Sequence, residues 1–184
     1  YGQAVELWDG PRKISIEAEG QTARSNVGFP SRRVASVDIV HDVAAAETVW
    51  RSLEKPDQCT PYQRFDLLAA WQRHVGERAG LLPFLVLALD NDNRPVGLLP
   101  LVLQTALGVR CATFMGGAHA TFNMGLWERE FAASITSADL RALMTMLAAR
   151  DEADILVLRH QPTYWRDVQN PLVLLPHEPS AVYC

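Results

Sequence analysis

The chain has 184 residues, of which 48% are hydrophobic and 21% charged, with a formal net charge of −4 at neutral pH. This size suits one domain, and the composition is typical of a globular protein. The acidic balance argues against nucleic acid as the main partner, because neutralising phosphates requires a basic face. No apolar run reaches the roughly 20 residues needed to cross a bilayer, so we expect no membrane span.

Three cysteines, Cys59, Cys111 and Cys184, form an odd number without metal-ligand spacing, which predicts reduced thiols in a cytoplasmic protein. The histidines also lack zinc-like spacing, so we expect no metal site. Residues 1–34 contain few apolar residues and are predicted to form a weakly ordered leader or a peripheral segment. The chain begins without Met and ends in a short alternating run, which suggests a piece of a longer protein.

The first elements are a strand and two helices. Alternation over Val34–His41 predicts a strand, and Asp42 is placed to cap a helix that ends before Pro56. The segment Thr60–Gln63 has the pattern of a capping box with Pro at the first helical position, which predicts a second helix. The first helix has apolar residues at i, i+3, i+4 and i+7: Ala46, Val49, Trp50 and Leu53. In the second helix apolar residues recur every three or four positions: Phe65, Leu68, Trp71 and Val75.

A β-meander is predicted next. Pro83–Leu89 is continuously apolar, as in a strand covered on both faces, and Asp90–Pro95 has the composition of a turn. Val96–Gln104 would return as the second arm of the hairpin, followed by a third strand at Arg110–Met115. Because Pro100 cannot donate a hydrogen bond to a neighbouring strand, an edge strand or a bulge is expected there.

The remaining predicted elements are a fourth strand at Thr121–Trp127, a helix at Ala138–Arg150, a buried strand at Asp154–His160 and a short helix at Tyr164–Val168. Thr136 or Ser137 would cap the longer helix. A meander followed by a helical crossover predicts an α/β fold with a mixed central sheet and helices on both faces.

The most informative stretch is Phe114–Trp127, which carries a double glycine, Gly116 and Gly117, and two polar residues in an apolar setting. Paired glycines let the backbone turn sharply or come close to another group. His119 could act as a general base and Asn123 could contact an acceptor hydroxyl or amine. The alternative is that both side chains hold the loop between two strands by satisfying backbone groups.

A second group of candidates is His160, Tyr164 and Trp165, which follow the last buried strand, where open sheets often bind ligands. Aromatic rings beside Arg159 and Arg166 would suit a carbohydrate or an anionic substrate. The alternative is a solvated surface loop.

The element order and several phrases resemble the CelD-type branch of the GNAT acyltransferase superfamily, bacterial proteins named from cellulose and exopolysaccharide biosynthesis. Their layout is similar to that of the FemAB peptidoglycan aminoacyltransferases. The resemblance spans about residues 35–184, and its most specific part is the phrase from His119 to Trp127. The phrases that carry it are Thr60-Pro61-Tyr62-Gln63 with Trp71, Leu98-Leu99-Pro100-Leu101, Gly116-Gly117-Ala118-His119, Phe122-Asn123-Met124-Gly125-Leu126-Trp127 and Asn170-Pro171-Leu172.

The resemblance implies two GNAT-like halves in tandem, with the acyl donor usually held by the second. This chain would be the N-terminal half, acceptor-side or structural, and its partner a second GNAT-like domain of the same chain. The reaction implied is transfer from an acyl-CoA-type donor to an amine or hydroxyl of an exopolysaccharide or envelope precursor. Tyr62 and Gln63 would border the acceptor groove together with Gly116 and Gly117, although Gln63 also suits a purely capping role.

The resemblance also allows a test for the cofactor. GNAT enzymes hold the CoA pyrophosphate on backbone N–H groups of a Gln/Arg-x-x-Gly-x-Gly/Ala loop that leads into a helix N-terminus. Residues 133–137 contain no Gly, Arg or Gln. We therefore expect no cofactor site in this chain, with acetyl-CoA or another acyl-CoA bound elsewhere in the full-length protein. Two alternatives remain: a non-catalytic binding or scaffold module, and a FemAB-like transferase that uses aminoacyl-tRNA, against which the acidic charge counts.

Overall fold

The computed structural model describes residues 33–175, so nearly all of the predicted leader over residues 1–34 lies outside the described residues. In this part of the chain, six strands form one mixed sheet in the order β1-β2-β3-β4-β6, with β5 paired to β3, and two further strands form a small hairpin. The strands are β1 Ser36–Val40, β2 Leu82–Leu89, β3 Pro95–Ala106, β4 Val109–Phe114, β5 Leu126–Trp127, β6 Ile155–Val157, β7 Tyr164–Trp165 and β8 Val168–Gln169.

The predicted α/β class is confirmed, with a mixed sheet and helices on both faces. Within residues 33–175, four short to medium helices connect the strands: α1 Glu47–Leu53, α2 Phe65–Trp71, α3 Arg129–Ser134 and α4 Ser137–Ala148. The pairs β1–β2, β2–β3 and β3–β4 are antiparallel, whereas β4 and β6 are parallel and are joined by a crossover through α3 and α4. No helix among residues 33–175 is long and apolar enough to cross a membrane.

The core has two layers because successive side chains of a strand point to opposite faces of the sheet. On one face, Leu140 and Leu143 of α4 pack in a cluster with Phe84 of β2. On the other face, Trp50 of α1 belongs to a cluster with Leu85 of β2. All five are fully buried or nearly so. Burying each such side chain stabilises the folded state by about 1.5–3 kcal/mol.

The second predicted helix begins later than its capping box indicates. Thr60 and Gln63 do form a capping box, but it closes a short 3₁₀ turn over Pro61–Gln63, and Arg64 has extended backbone angles, so α2 begins at Phe65. After α2 the chain forms a π-helical turn at Gln72–Gly76. The wider turn shifts the helical register. Val75 is therefore 40% exposed, whereas its spacing had predicted a place on the buried face of the helix.

Pro100 corrects another expectation, because it lies buried in a central strand and not at an edge. It pairs with Leu85 on one side, and its carbonyl accepts a hydrogen bond from the Met115 N–H. On the side of β3 opposite β2, the strand β4 pairs with β3 from Leu101 onward, and β5 pairs only with Gly97 and Leu98. The missing N–H of Pro100 thus falls in the gap between two neighbouring strands, where no ladder bond is lost.

Near the C-terminal end the predicted short helix at Tyr164–Val168 is wrong. This segment contains β7 and the start of β8, which are joined by a tight turn in which Arg166 has φ of 51°. The predicted strand at Thr121–Trp127 is reduced to the two residues of β5, since the rest of that segment is a loop. Periodicity did not predict α3, which is only six residues long and is capped by Glu128.

Candidate functional site

The parallel pair β4 and β6 places two loops at the same edge of the sheet, since both strands end there. A cleft of about 420 Å³ opens between them, in the position where open α/β sheets bind ligands. Its wall includes the turn after β4, the residue Asn123 and the residues that follow β6. The lining residues are Thr113, Phe114, Gly117, Ala118, Asn123, Val157, Arg159 and His160.

The double glycine forms the turn by which the chain leaves β4. Gly116 has φ of 94° and Gly117 has φ of 52°, conformations that residues with a side chain rarely adopt. A Cβ on Gly116 would lie 2.7 Å from the Cβ of Ala120, so no side chain fits there. Of the two predicted binding glycines, Gly117 lines the cleft and Gly116 is buried beneath the turn.

Asn123 joins the two walls of the cleft. Its side chain is 5% exposed, and its Nδ2 donates to the carbonyl of Arg159 at 3.2 Å. Its backbone N–H donates to the carbonyl of His160 at 2.9 Å. This is the loop-holding role that the sequence left as an alternative. Because Nδ2 of the side-chain amide faces the Arg159 carbonyl, Oδ1 of the same amide points away from it.

A second set of buried polar groups holds the same loop from the other side. The carbonyl of Phe122 lies 2.9 Å from Gln63 Nε2 and 2.9 Å from Thr60 Oγ1. Gln63 is 1% exposed, and its own backbone carbonyl accepts a hydrogen bond from the indole of Trp50. The predicted site residue Gln63 is therefore part of the loop's anchor and does not lie at a surface open to ligand.

Phe122 is held by these bonds with its ring at the surface, where it is 46% exposed. It stacks with Tyr62, with ring centroids 6.4 Å apart, and contacts Trp165 at 6.1 Å. We call these three residues the aromatic row; they come from three separate segments. The structure thus brings together two predicted binding residues, whereas Tyr164 is 58% exposed and has no ring contact with the row.

The sequence did not single out Phe122 as a candidate, although it is the central ring of the row. Its neighbour Asn123 was chosen because a polar residue in an apolar run is conspicuous. An exposed aromatic residue in the same run looks like any core residue, so nothing in the local pattern identifies it.

The two candidate histidines of the site are placed differently from each other. His119 lies at the end of the 3₁₀ turn Gly117–His119 and is exposed, next to the lining residue Ala118 but not itself in the lining. His160 does line the cleft, with φ of 57°. Arg159 precedes it, so a guanidinium and an imidazole lie on the β6 side.

The opposite end of the parallel pair carries an ion-pair cluster. At the start of β4, Arg110 donates to Asp154 at 2.7 Å and to Asp151 at 3.0 Å. The hydrogen bonds from the Arg110 side chain lower the pKa of Asp154 to about 2. This cluster fastens β4 to the segment before β6 at the end of the sheet away from the cleft, which indicates a structural role.

No group of three or more metal-ligating side chains occurs among residues 33–175. Comparison with family models, with curated proteins and with solved structures found no match to this chain.

Proposed function

We propose that this chain is the GNAT-like N-terminal half of an acyltransferase, and that its cleft takes the acceptor. A second GNAT-like domain of the same protein would hold the acyl-CoA-type donor. In the reaction, the acceptor nitrogen or oxygen forms a bond to the acyl carbonyl carbon and the carbon–sulfur bond of the thioester breaks. The acceptor's proton passes to a base, and the thiol leaves.

The observation that carries the proposal is the position of the most specific phrase of the resemblance. The phrase from His119 to Trp127 includes Asn123, which lies in the wall of the cleft at the carboxyl ends of β4 and β6. The same phrase supplies Phe122 to the aromatic row. The order of strand, two helices, meander, helical crossover and parallel strand also supports the proposed layout.

Individual roles follow from these positions. Asn123 holds the loop through Nδ2, and no donor within residues 33–175 reaches its Oδ1, which can therefore accept a hydrogen bond from the acceptor's N–H or O–H. His119 is the proposed proton acceptor, since it is exposed next to the lining residue Ala118 and its ring forms no hydrogen bond or ion pair within residues 33–175. The aromatic row, whose central residue Phe122 directly precedes Asn123 in the chain, offers apolar ring faces to a sugar of an exopolysaccharide or envelope precursor.

The start of α4 supports a donor site outside this chain. The helix N-terminus that a pyrophosphate would occupy is capped by Asp139, whose Oδ2 accepts from the Thr136 N–H at 2.9 Å and from its hydroxyl at 2.6 Å. A carboxylate at this position already compensates the positive end of the helix and would repel a diphosphate. The residues at this helix do not fit CoA in the manner of the superfamily.

Isothermal titration of the chain with acetyl-CoA tests where the donor binds. We expect no heat beyond dilution, whereas micromolar binding that persists in competition with excess ATP would overturn the proposed division of the two sites.

The catalytic proposal is tested in the full-length protein by following thiol release from acetyl-CoA with a panel of amine and hydroxyl acceptors. His119→Ala should lower kcat by about 10²-fold or more, as loss of a general base does. The matched control is His74→Ala, another exposed histidine, which lies on the π-helical turn away from the cleft. Equal rates for the two variants would contradict the role given to His119.

A second candidate, a non-catalytic binding module, is favoured by one observation. Gln63 and Asn123, both predicted site residues, use their amide N–H groups to hold the loop. If this reading is right, His119→Ala leaves every measured property of the full-length protein unchanged, and ligand binding depends on the aromatic row instead.

A further inference from the structure

We infer that the cleft contains a binding site for a compact anionic group, a carboxylate or a phosphate, formed by Arg159 and His160. The assignment of this anion to the acceptor molecule rests on the proposed function; the anion site itself does not.

The lining of the cleft has an unusual charge for this protein. The chain carries a net charge of −4, yet within residues 33–175 the titratable side chains of the lining are Arg159 and His160, and none of these lining residues is acidic. The other lining residues are apolar or neutral. A concave site with one sign of charge and apolar walls concentrates the field on a ligand of opposite charge.

Arg159 is one of the arginines of the described chain that form no ion pair with a carboxylate within it. Six arginines within residues 33–175 form ion pairs with carboxylates, whereas Arg159 has no such pair there. A guanidinium is charged at all accessible pH values and presents a planar fork of donors that matches a carboxylate or a phosphate. Arg159 can therefore bind an oxyanion, and no carboxylate within residues 33–175 forms an ion pair with it. The paired arginines are Arg51, Arg64, Arg94, Arg110, Arg129 and Arg150.

The backbone that carries Arg159 and His160 is fixed in place. Asn123 donates to the carbonyls of both Arg159 and His160, at 3.2 and 2.9 Å. His160 is also held at φ of 57°, a conformation that residues with a side chain rarely adopt. Fixing these residues before the ligand arrives lowers the ordering cost of binding.

The site is tested by titrating the ¹⁵N-labelled chain with inorganic phosphate and, separately, with acetate, at constant ionic strength. We expect saturable shifts of the amide signals of Gly117, Asn123 and His160. Arg159→Gln should weaken this binding by about tenfold or more, because it removes charge-assisted hydrogen bonds. The control is Arg141→Gln, an exposed α4 arginine outside the cleft lining, which should leave the affinity unchanged.

Saturable binding of either phosphate or acetate supports the site. If only one of them binds, the result also shows whether the site takes a phosphate or a carboxylate. The inference is overturned if neither anion gives saturable shifts, or if the Gln variants at positions 159 and 141 behave alike while the rest of each spectrum stays native. Because the titration uses no acyl donor, it separates this result from that of the proposed function. A failed transfer assay leaves the anion site standing, and a failed titration leaves the transfer proposal standing.

Discussion

Replacing Gln63 with Ala should destabilise the protein strongly, because one side chain closes the capping box and anchors the candidate site loop. Its Oε1 accepts from the buried Thr60 N–H at 3.0 Å, and its Nε2 donates to the carbonyl of Phe122 at 2.9 Å. Losing the capping-box bond leaves the Thr60 N–H buried without a partner, which costs about 2 kcal/mol, and losing the bond to Phe122 costs about 1 kcal/mol more.

We therefore expect a loss of about 3 kcal/mol, a large share of the roughly 5–15 kcal/mol that stabilises a domain. With an m value of about 2 kcal/mol/M, the urea midpoint falls by about 1.5 M. The measurement is urea unfolding followed by circular dichroism. The control is Gln104→Ala, at an exposed position of β3, which should change the unfolding free energy by less than about 0.5 kcal/mol.

The Gln63→Glu variant separates the two contributions. A carboxylate oxygen can still accept from the Thr60 N–H, but no N–H remains to donate to Phe122, so the loop should loosen even where the cap survives. Faster hydrogen exchange at the amides of residues 116–125 would report this loosening. Should Gln63→Ala cost no more than Gln104→Ala, the idea that buried polar bonds hold the site loop would be refuted.

Three further predictions concern backbone, pH and register. Gly116→Ala should lower the free energy of unfolding in urea by about 2–4 kcal/mol, because of the positive φ and a 2.7 Å contact of the new Cβ. The control Gly80→Ala, with positive φ and open space, should lower it by only about 1 kcal/mol. Equal losses for the two variants would contradict the role of the contact. Since the pKa of Asp154 is lowered to about 2, its ion pair stabilises the fold above the ordinary value of 3.8 and is lost as the pH falls toward about 2. The Tm difference between the native protein and Arg110→Gln should therefore be full at about pH 5 and vanish near pH 2, and a constant difference would count against the linkage. Val75→Ala should change the unfolding free energy by less than about 0.5 kcal/mol, because the π-helical turn leaves Val75 at the surface; a loss of about 2 kcal/mol would show it to be core.

The fold class follows from the sequence because it rests on patterns that are local and redundant. The continuous apolar run of β2, the turn after Asp90 and the capped amphipathic pattern of α4 each identify an element without reference to the rest of the chain. The order of these elements then leaves few ways to form a sheet. Short elements such as α3 and the β7–β8 hairpin escaped prediction, since six residues or fewer carry too little periodicity to be recognised.

The candidate site could be predicted only in part. Asn123 stood out because a polar residue in an apolar run must be satisfied if it is buried. Its partners, the carbonyls of Arg159 and His160, lie 36 residues or more away in sequence, and no local pattern reveals such a pairing. The aromatic row has the same character, because Tyr62, Phe122 and Trp165 meet only after three segments have folded together.

The amino-acid sequence by itself determined the longer strands and helices and which of their faces are apolar, since these properties depend on neighbours a few residues apart. Only the tertiary structure decided that Pro100 lies in a central strand, because its missing N–H is harmless only where β4 ends and β5 has not yet begun. It also decided that the parallel ends of β4 and β6 enclose a cleft with Arg159 and His160 in its wall. Long-range pairing sets these relations, and it depends on the packing of the whole sheet.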